Sequence, residues 1–225
     1  SYNNIKTEFK NAGYVLIDRL NNALEYGVPQ DRERIILIGI KASLINDDIK
    51  QAQNYLIENF DWGQTYIIED IKSIEWPTTR PYIENSIVPC PEHIIEDLTV
   101  QYWFKKNDVL HHENANDYFL PRAIDRFETI KEGDVTKKSF KRLHRWRYSP
   151  TVAYGNNEVH LHPYFSRRLS VAEALAIQSL PKNFCVANNL SKSNMFKTVG
   201  NGVPYLMAKK IATNLMNFLQ TIERN

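Results

Sequence analysis

The run IILIGI, Ile35 to Ile40, constrains this chain most. It is short, β-branched and unbroken, the pattern of a strand covered on both faces inside an α/β sheet. YVLIDRL, Tyr14 to Leu20, is a second strand candidate, and the charged loop NNALEYGVPQDRER joins the two. Before them, YNNIKTEFKNA (Tyr2 to Ala12) predicts a short amphipathic helix with Ile5 and Phe9 on one face and Gly13 as its stop. The start of the chain therefore reads as helix, strand, charged loop, strand. A doubly wound sheet needs several more strand–helix units, and the downstream sequence does not supply them.

The other well-patterned stretch is FKTVGNGVPYLMAKKIATNLMNFL, Phe196 to Leu219. Gly200, Asn201 and Gly202 predict a turn. Val203, Leu206, Met207, Ala208, Ile211, Leu215, Phe218 and Leu219 then recur at helical spacing, with Pro204 in the first turn, where a helix tolerates it. Glycines before a helix let the backbone approach a ligand closely, and the free N–H groups there suit a polar or anionic one. A C-terminal helix docked on a core explains the same residues.

Between these ends the character changes. Asn46 to Asn59 predicts a polar, acidic helix. Scattered prolines (77, 81, 89, 91, 121, 150 and 163) and frequent aromatics then indicate an irregular, loop-rich α+β lobe with small strands. KKSFKRLHRWR, Lys137 to Arg147, holds six Lys or Arg and no acid in eleven residues. The cations Lys137, Lys138, Lys141, Arg142, Arg145 and Arg147, interleaved with Phe140 and Trp146, suit phosphate contacts and base stacking. A solvated basic face accounts for the cluster equally simply. RRLSVAEALAIQSLP, Arg167 to Pro181, predicts a helix with Ser170 as N-cap and Glu173 completing a capping box. The chain thus divides at 1–45, 46–195 and 196–225.

Composition narrows the classes. Of the 225 residues, 43% are hydrophobic and 24% charged, as in ordinary globular proteins. A net charge of +2 does not by itself announce a nucleic-acid partner, so local clustering must carry that reading. Cys90 and Cys185 cannot form a disulfide framework, which points to a reducing, cytoplasmic setting. No apolar run reaches the roughly 18 residues that span a membrane. The chain starts at Ser1 without a basic-then-apolar leader. His160 and His162 would share one face of a strand, but no third ligand stands at fixed spacing, so no metal site is expected.

Four segments, in order, resemble DNA (cytosine-5) methyltransferases. GVPQDRERIILIGI (Gly27 to Ile40) is similar to that family's eighth motif, a Gln-x-Arg-x-Arg loop running into a strand. SPTVAYGNNEVHLHP (Ser149 to Pro163) resembles the segment before the ninth motif, RRLSVAEALAIQSLPKNF (Arg167 to Phe184) the ninth, and VGNGVPYLMAKKIA (Val199 to Ala212) the tenth. The resemblance implies a partial doubly wound methyltransferase domain, contributed by both chain ends, around a target recognition domain.

It further implies methyl transfer from S-adenosyl-L-methionine to C5 of a cytosine flipped out of double-stranded DNA, as part of a restriction-modification system. Arg34 would donate to the cytosine O2 and to active-site acids, and Arg32 and Gln30 would shape the pocket. An arginine suits that role because its guanidinium is always charged and offers a rigid donor fork. Asn201, Gly202 and Val203 would lie against the methionine part of the cofactor. Many members carry Ser at the position of Gly202, so no hydroxyl contact is available there. Arg167, Arg168, Glu173 and Gln178 would be scaffold.

The family's front half has no counterpart. Its glycine-rich cofactor loop, Pro-Cys nucleophile motif and Glu-Asn-Val segment are absent, and Pro89-Cys90 lacks the nucleophile context. The expectation is a C-terminal half, either a piece of a longer chain or the smaller subunit of a split enzyme, inactive alone. A sequence-specific DNA-binding module without chemistry is the alternative.

Overall fold

The computed structural model describes residues 1–120, 124–137, 139–151, 154 and 159–222. The chain starts with helix α1 (Tyr2–Asn11), which buries none of its side chains. It leans on strand β1 (Tyr14–Asn22) through Lys6 to Asp18 at 2.6 Å and an edge-on contact of Phe9 with Tyr14. A one-turn helix, Ala23–Tyr26, follows. Asn22 and Glu25 form its capping box, and Gly27 closes it at φ +82, a left-handed conformation that favours glycine. After the two-residue strand β2 (Gln30–Asp31), strand β3 (Glu33–Lys41) returns antiparallel to β1, with Val15 opposite Ile40 and Leu20 opposite Ile35.

One face of this pair carries the first core. Val15, Ile38 and Ile40 pack with Ala52 and Leu56 of α2 (Ile49–Asn59), and with Met207, Ile211 and Phe218 of α8 (Tyr205–Ile222). Gln53 of α2 binds β1 directly. Its amide accepts from Leu16 N at 3.0 Å and donates to Leu16 O at 2.9 Å. The helix counted with the middle lobe on sequence grounds thus packs on the hairpin. The two chain ends, 1–45 and 196–225, share a core although most of the chain separates them.

One expectation changes here. IILIGI is not covered on both faces. Side chains alternate along a strand; α2 and α8 cover one side, while on the other α1 reaches only Tyr14 and Asp18 near the start of β1. On the other side Leu20 and Ile35 form a cross-strand pair, 55% and 57% exposed. The apolar stripe of the C-terminal helix is seated on β1, β3 and α2, with Val203 before it and Ala208 and Met216 left exposed.

The second core belongs to the rest of the chain. Val100, Trp103 and Phe104 of α4 (Val100–Lys106) pack with the fully buried α6 (Val171–Ile177) and with Met195, Phe196 and Val199 of α7 (Lys192–Asn201). Ser170 and Glu173 form the predicted capping box, and Glu173 also holds Arg167 through both carboxylate oxygens, at 2.7 and 2.9 Å. A small third cluster, Leu24, Ile71, Trp76 and Leu98, joins the hairpin turn to α3 (Ile68–Ser73) and to the turn before α4. The remaining described elements are α5 (Ile124–Glu128) and β4 (Ser149–Pro150).

Three histidines lie buried in this lobe: His144, His160 and His162. Desolvation pulls His144 down to about 4, His160 down to about 3, and His162 well below its ordinary value. Geometry agrees for two of them. The Nδ1 of His144 accepts from Trp146 N, and the Nδ1 of His162 accepts from Tyr164 N and Phe165 N, so neither nitrogen carries a proton. Folded-state values below that of the unfolded chain mean the unfolded state takes protons first as pH falls. Stability is therefore full above about pH 6.5 and declines toward pH 4, each histidine contributing up to about 1.4 kcal/mol per pH unit. Urea unfolding between pH 7 and 5 should show this decline, and the variant His144→Asn should flatten it.

Candidate functional site

The Gln-x-Arg-x-Arg loop is held from several directions. Gln30 and Asp31 pair in parallel with Ser149 and Pro150, and Ser149 N donates to Pro29 O at 2.8 Å. The Asp31 carboxylate accepts from Asn22 Nδ2 at 2.7 Å and from Lys72 Nζ of α3, and the Asp31 carbonyl accepts from Thr151 Oγ1. Gln30 is fully buried, and neither polar atom of its amide has a partner among the described residues. Arg34, half-buried at the start of β3, donates to its neighbour's carbonyl, Glu33 O, at 2.6 Å.

Arg32 makes the long-range connection. Its guanidinium is buried and donates to Gly200 O at 2.7 Å and to Gly202 O at 3.3 Å. Desolvation, and next the like charge of Arg34, lowers its pKa to about 10, which leaves it ionised at neutral pH. The fold thus brings together Arg32 and the Gly-Asn-Gly segment, two features separated in sequence by nearly the whole chain.

That segment differs from the expected turn. Gly200 and Asn201 are the last residues of α7, and Gly202 closes it, its N–H donating to Val199 O. Ser191 caps α7, so helix starts within what reads in sequence as a polar loop. The link to α8 is also gripped from the α6 side. Gln178 donates to Val199 O and accepts from Tyr205 N at 3.0 Å, and Ser179 Oγ accepts from Leu206 N at 3.0 Å. Nothing in the sequence marks Gln178 and Ser179 as clamps, because their targets are backbone groups.

Asn201, Gly202 and Val203 are all exposed. A Cβ on Gly202 would meet nothing closer than Val199 O at 3.4 Å, so the protein itself does not require glycine there. An open strip of backbone beside an exposed valine fits one side of an S-adenosyl-L-methionine site, the wall these three residues would supply. Gly200 is different. A Cβ there would lie 3.0 Å from Tyr154 Cδ2 and 3.3 Å from Tyr154 N, against a buried ring.

The basic segment divides. Arg142 is fully buried and donates to the carbonyls of Ile130, Phe127, His162 and Phe165, with its guanidinium over the Tyr82 ring. Arg145 is buried against Glu132, which accepts from it through both carboxylate oxygens, and it also donates to Ser86. Trp146 is buried with its indole N–H on Val88 O. These are corrections: Arg142 and Arg145 are spent inside the lobe and cannot reach DNA phosphates, and Trp146 cannot stack on a base. Burial costs a cation several kcal/mol unless its donors are satisfied, and here they are. Lys137 is exposed, while Lys141 and Arg147 are half-buried. Lys138 lies outside the described residues, as do 152–153 and 155–158 of the segment before the ninth motif.

Among the described residues no group of three or more His, Cys, Asp or Glu is placed to hold a metal ion, and no helix is long and apolar enough to cross a membrane. Burial, then the charge of Glu96, raises the Cys90 thiol, the opposite of what a nucleophilic thiolate needs. Cys185 is half-buried beside the core residue Val186.

The two glycines separate by substitution. Gly200→Ala should destabilise the fold by about 1–3 kcal/mol through overpacking against Tyr154. Gly202→Ala should leave the thermal midpoint within about 1 °C. Paired calorimetric melts of the two variants check this.

The sequence matches the C-5 cytosine-specific DNA methylases over residues 1–217. It is 52% identical over 220 residues to the Type II methyltransferase M.NmeDI of Neisseria meningitidis serogroup C, covering 97% of this chain and 50% of that protein. It is 23% identical over 248 residues to the Type II methyltransferase M.DdeI of Desulfomicrobium norvegicum, covering 97% and 58%. The chain thus spans about half the length of the curated relatives it matches. In fold it is similar to an E. coli protein described as a DNA modification methyltransferase encoded within a prophage, with a TM-score of 0.55 at 18% identity over 93% of this chain and 62% of that one. It is also similar to the methyltransferase EhMeth of Entamoeba histolytica, with a TM-score of 0.52 at 11% identity over 97% and 58%. With a family match across nearly its full length, the chain belongs to the C-5 cytosine-specific DNA methylase family.

Proposed function

We propose that this chain is the C-terminal half of a Type II DNA (cytosine-5) methyltransferase. It recognises a specific sequence in double-stranded DNA and completes the site that methylates C5 of a flipped cytosine. The observation that carries the reading is the hydrogen bonding of buried Arg32 to the Gly200 and Gly202 carbonyls. It joins the loop that serves the flipped base to the segment that serves the cofactor. Gln30 and Arg34 line the base side, where the unpartnered amide of Gln30 is free for a ligand. Asn201, Gly202 and Val203 form one wall of the S-adenosyl-L-methionine site, and that cofactor supplies the methyl group. The loop-rich segment between the hairpin and α6 reads the target sequence. Lys137 and Arg147, with Lys141, remain its candidate phosphate contacts.

The nucleophile and the assisting acid come from the other half of the protein, in cis or as a separate subunit. The length of the relatives supports this division, and so does the uncovered apolar pair Leu20–Ile35. With cofactor carrying a radiolabelled methyl group, the purified 225-residue chain should transfer no label to a cytosine-containing duplex. Adding the missing half should restore incorporation. Label transfer by this chain alone would overturn the division.

A further inference from the structure

A cleft of about 210 Å³ opens at the seam between the Gln-x-Arg-x-Arg loop and the middle lobe. It is lined by Asp31, Lys72, Gly133, His144, Arg147 and Tyr148, among others. Lys72 comes from α3 and Arg147 from the basic segment, 75 residues later, yet both cations lie against the same Tyr148 ring, with centroid distances of 5.0 and 5.4 Å. Trp76 packs edge-on to that ring at 5.2 Å and fixes it in place.

The charge is unbalanced. Lys72 pairs with Asp31, the carboxylate in the cleft. Arg147 makes its ring contact with Tyr148 and no ion pair among the described residues. Glu132, near in sequence, is committed to Arg145 on the buried side. His144 is held neutral by burial, so it neither adds nor removes charge at neutral pH. Two half-exposed cations against one carboxylate leave a net positive cleft. Its lining offers N–H donors and an aromatic face, which suits an anion with several acceptor oxygens.

We propose that Lys72 and Arg147, splayed over Tyr148, grip a phosphodiester of the DNA backbone beside the Gln-x-Arg-x-Arg loop. This rests on the reading of the chain as a DNA methyltransferase half and names a grip that its basic run alone did not. A phosphate rather than a peptide carboxylate is favoured because the cleft borders the loop assigned to the flipped base, where the nearest backbone anions are phosphates. Lys72 is shared. The amine that reaches the phosphate also holds Asp31, so backbone contact and loop geometry meet at one side chain.

The test is fluorescence anisotropy of a labelled 20-base-pair duplex with the 225-residue chain over a salt series. Each lost phosphate contact flattens the slope of log affinity against log salt by about 0.9. The double variant K72M/R147M releases the one phosphodiester that both cations grip, so it should bind at least tenfold more weakly at low salt, with a slope shallower by roughly 0.9. D31N removes the competing carboxylate and should bind at least as tightly as the parent. If the parent binds and K72M/R147M matches it in affinity and slope, this inference falls while the wider reading stands. If D31N binds as weakly as the double variant, loop geometry and not phosphate contact is responsible, and the inference also falls. If the parent shows no salt-dependent binding, the DNA-binding reading itself fails and takes this inference with it. Circular dichroism melts of the parent and both variants confirm that each is folded.

Discussion

The reach of Arg32 to two backbone carbonyls of the α7–α8 link is the contact on which the site depends. Hydrogen bonds to a charged group are worth about 1.5–3 kcal/mol, and the Arg32 Nη2 group makes both of these. Arg32 therefore does more than sit near Gly200 and Gly202. It ties their positions to that of the loop, and β2 pairing with β4, Thr151, Asn22 and Lys72 tie the loop to the rest. From the other side Gln178 and Ser179 take up the free backbone groups at the same link. Two separate stretches of chain, the Arg32 loop and the end of α6, thus converge on five residues of the link: Val199, Gly200, Gly202, Tyr205 and Leu206.

The middle lobe shows the same economy with its cations. It has little regular strand, so many backbone carbonyls have no ladder partner. Arg142 takes four of them, Arg145 closes on Glu132 and Ser86, and Arg167 closes on Glu173. A loop-rich fold of this kind is held by buried guanidinium forks where a sheet would use its own N–H groups. Such an architecture leaves loops free to vary.

Part of this was legible in the sequence because it is local. Ser170 and Glu173 announce a capping box three residues apart. Gly13 stops α1 in a left-handed conformation. Order and spacing of GVPQDRERIILIGI, RRLSVAEALAIQSLP and VGNGVPYLMAKKIA indicate the family. Other features were not legible because they depend on which distant groups meet. IILIGI looks the same whether one face or two are covered. Arg142 and Arg147 stand five apart in one basic run, yet one is sealed in the lobe and the other half-exposed. Lys72 carries no motif at all.

By itself, then, the sequence determined α1 with its stop at Gly13, strands β1 and β3, helix α8, the capping box of α6, and the chemistry the Gln-x-Arg-x-Arg and Gly-Asn-Gly residues can offer. Tertiary structure alone decided that Arg32 meets Gly200 and Gly202, that only part of the hairpin's second face is covered, and which cations of the basic run face water. The physical reason is that capping and periodicity act over one or two turns of chain. Burial and the satisfaction of a charged group are settled only by what the whole fold packs around it.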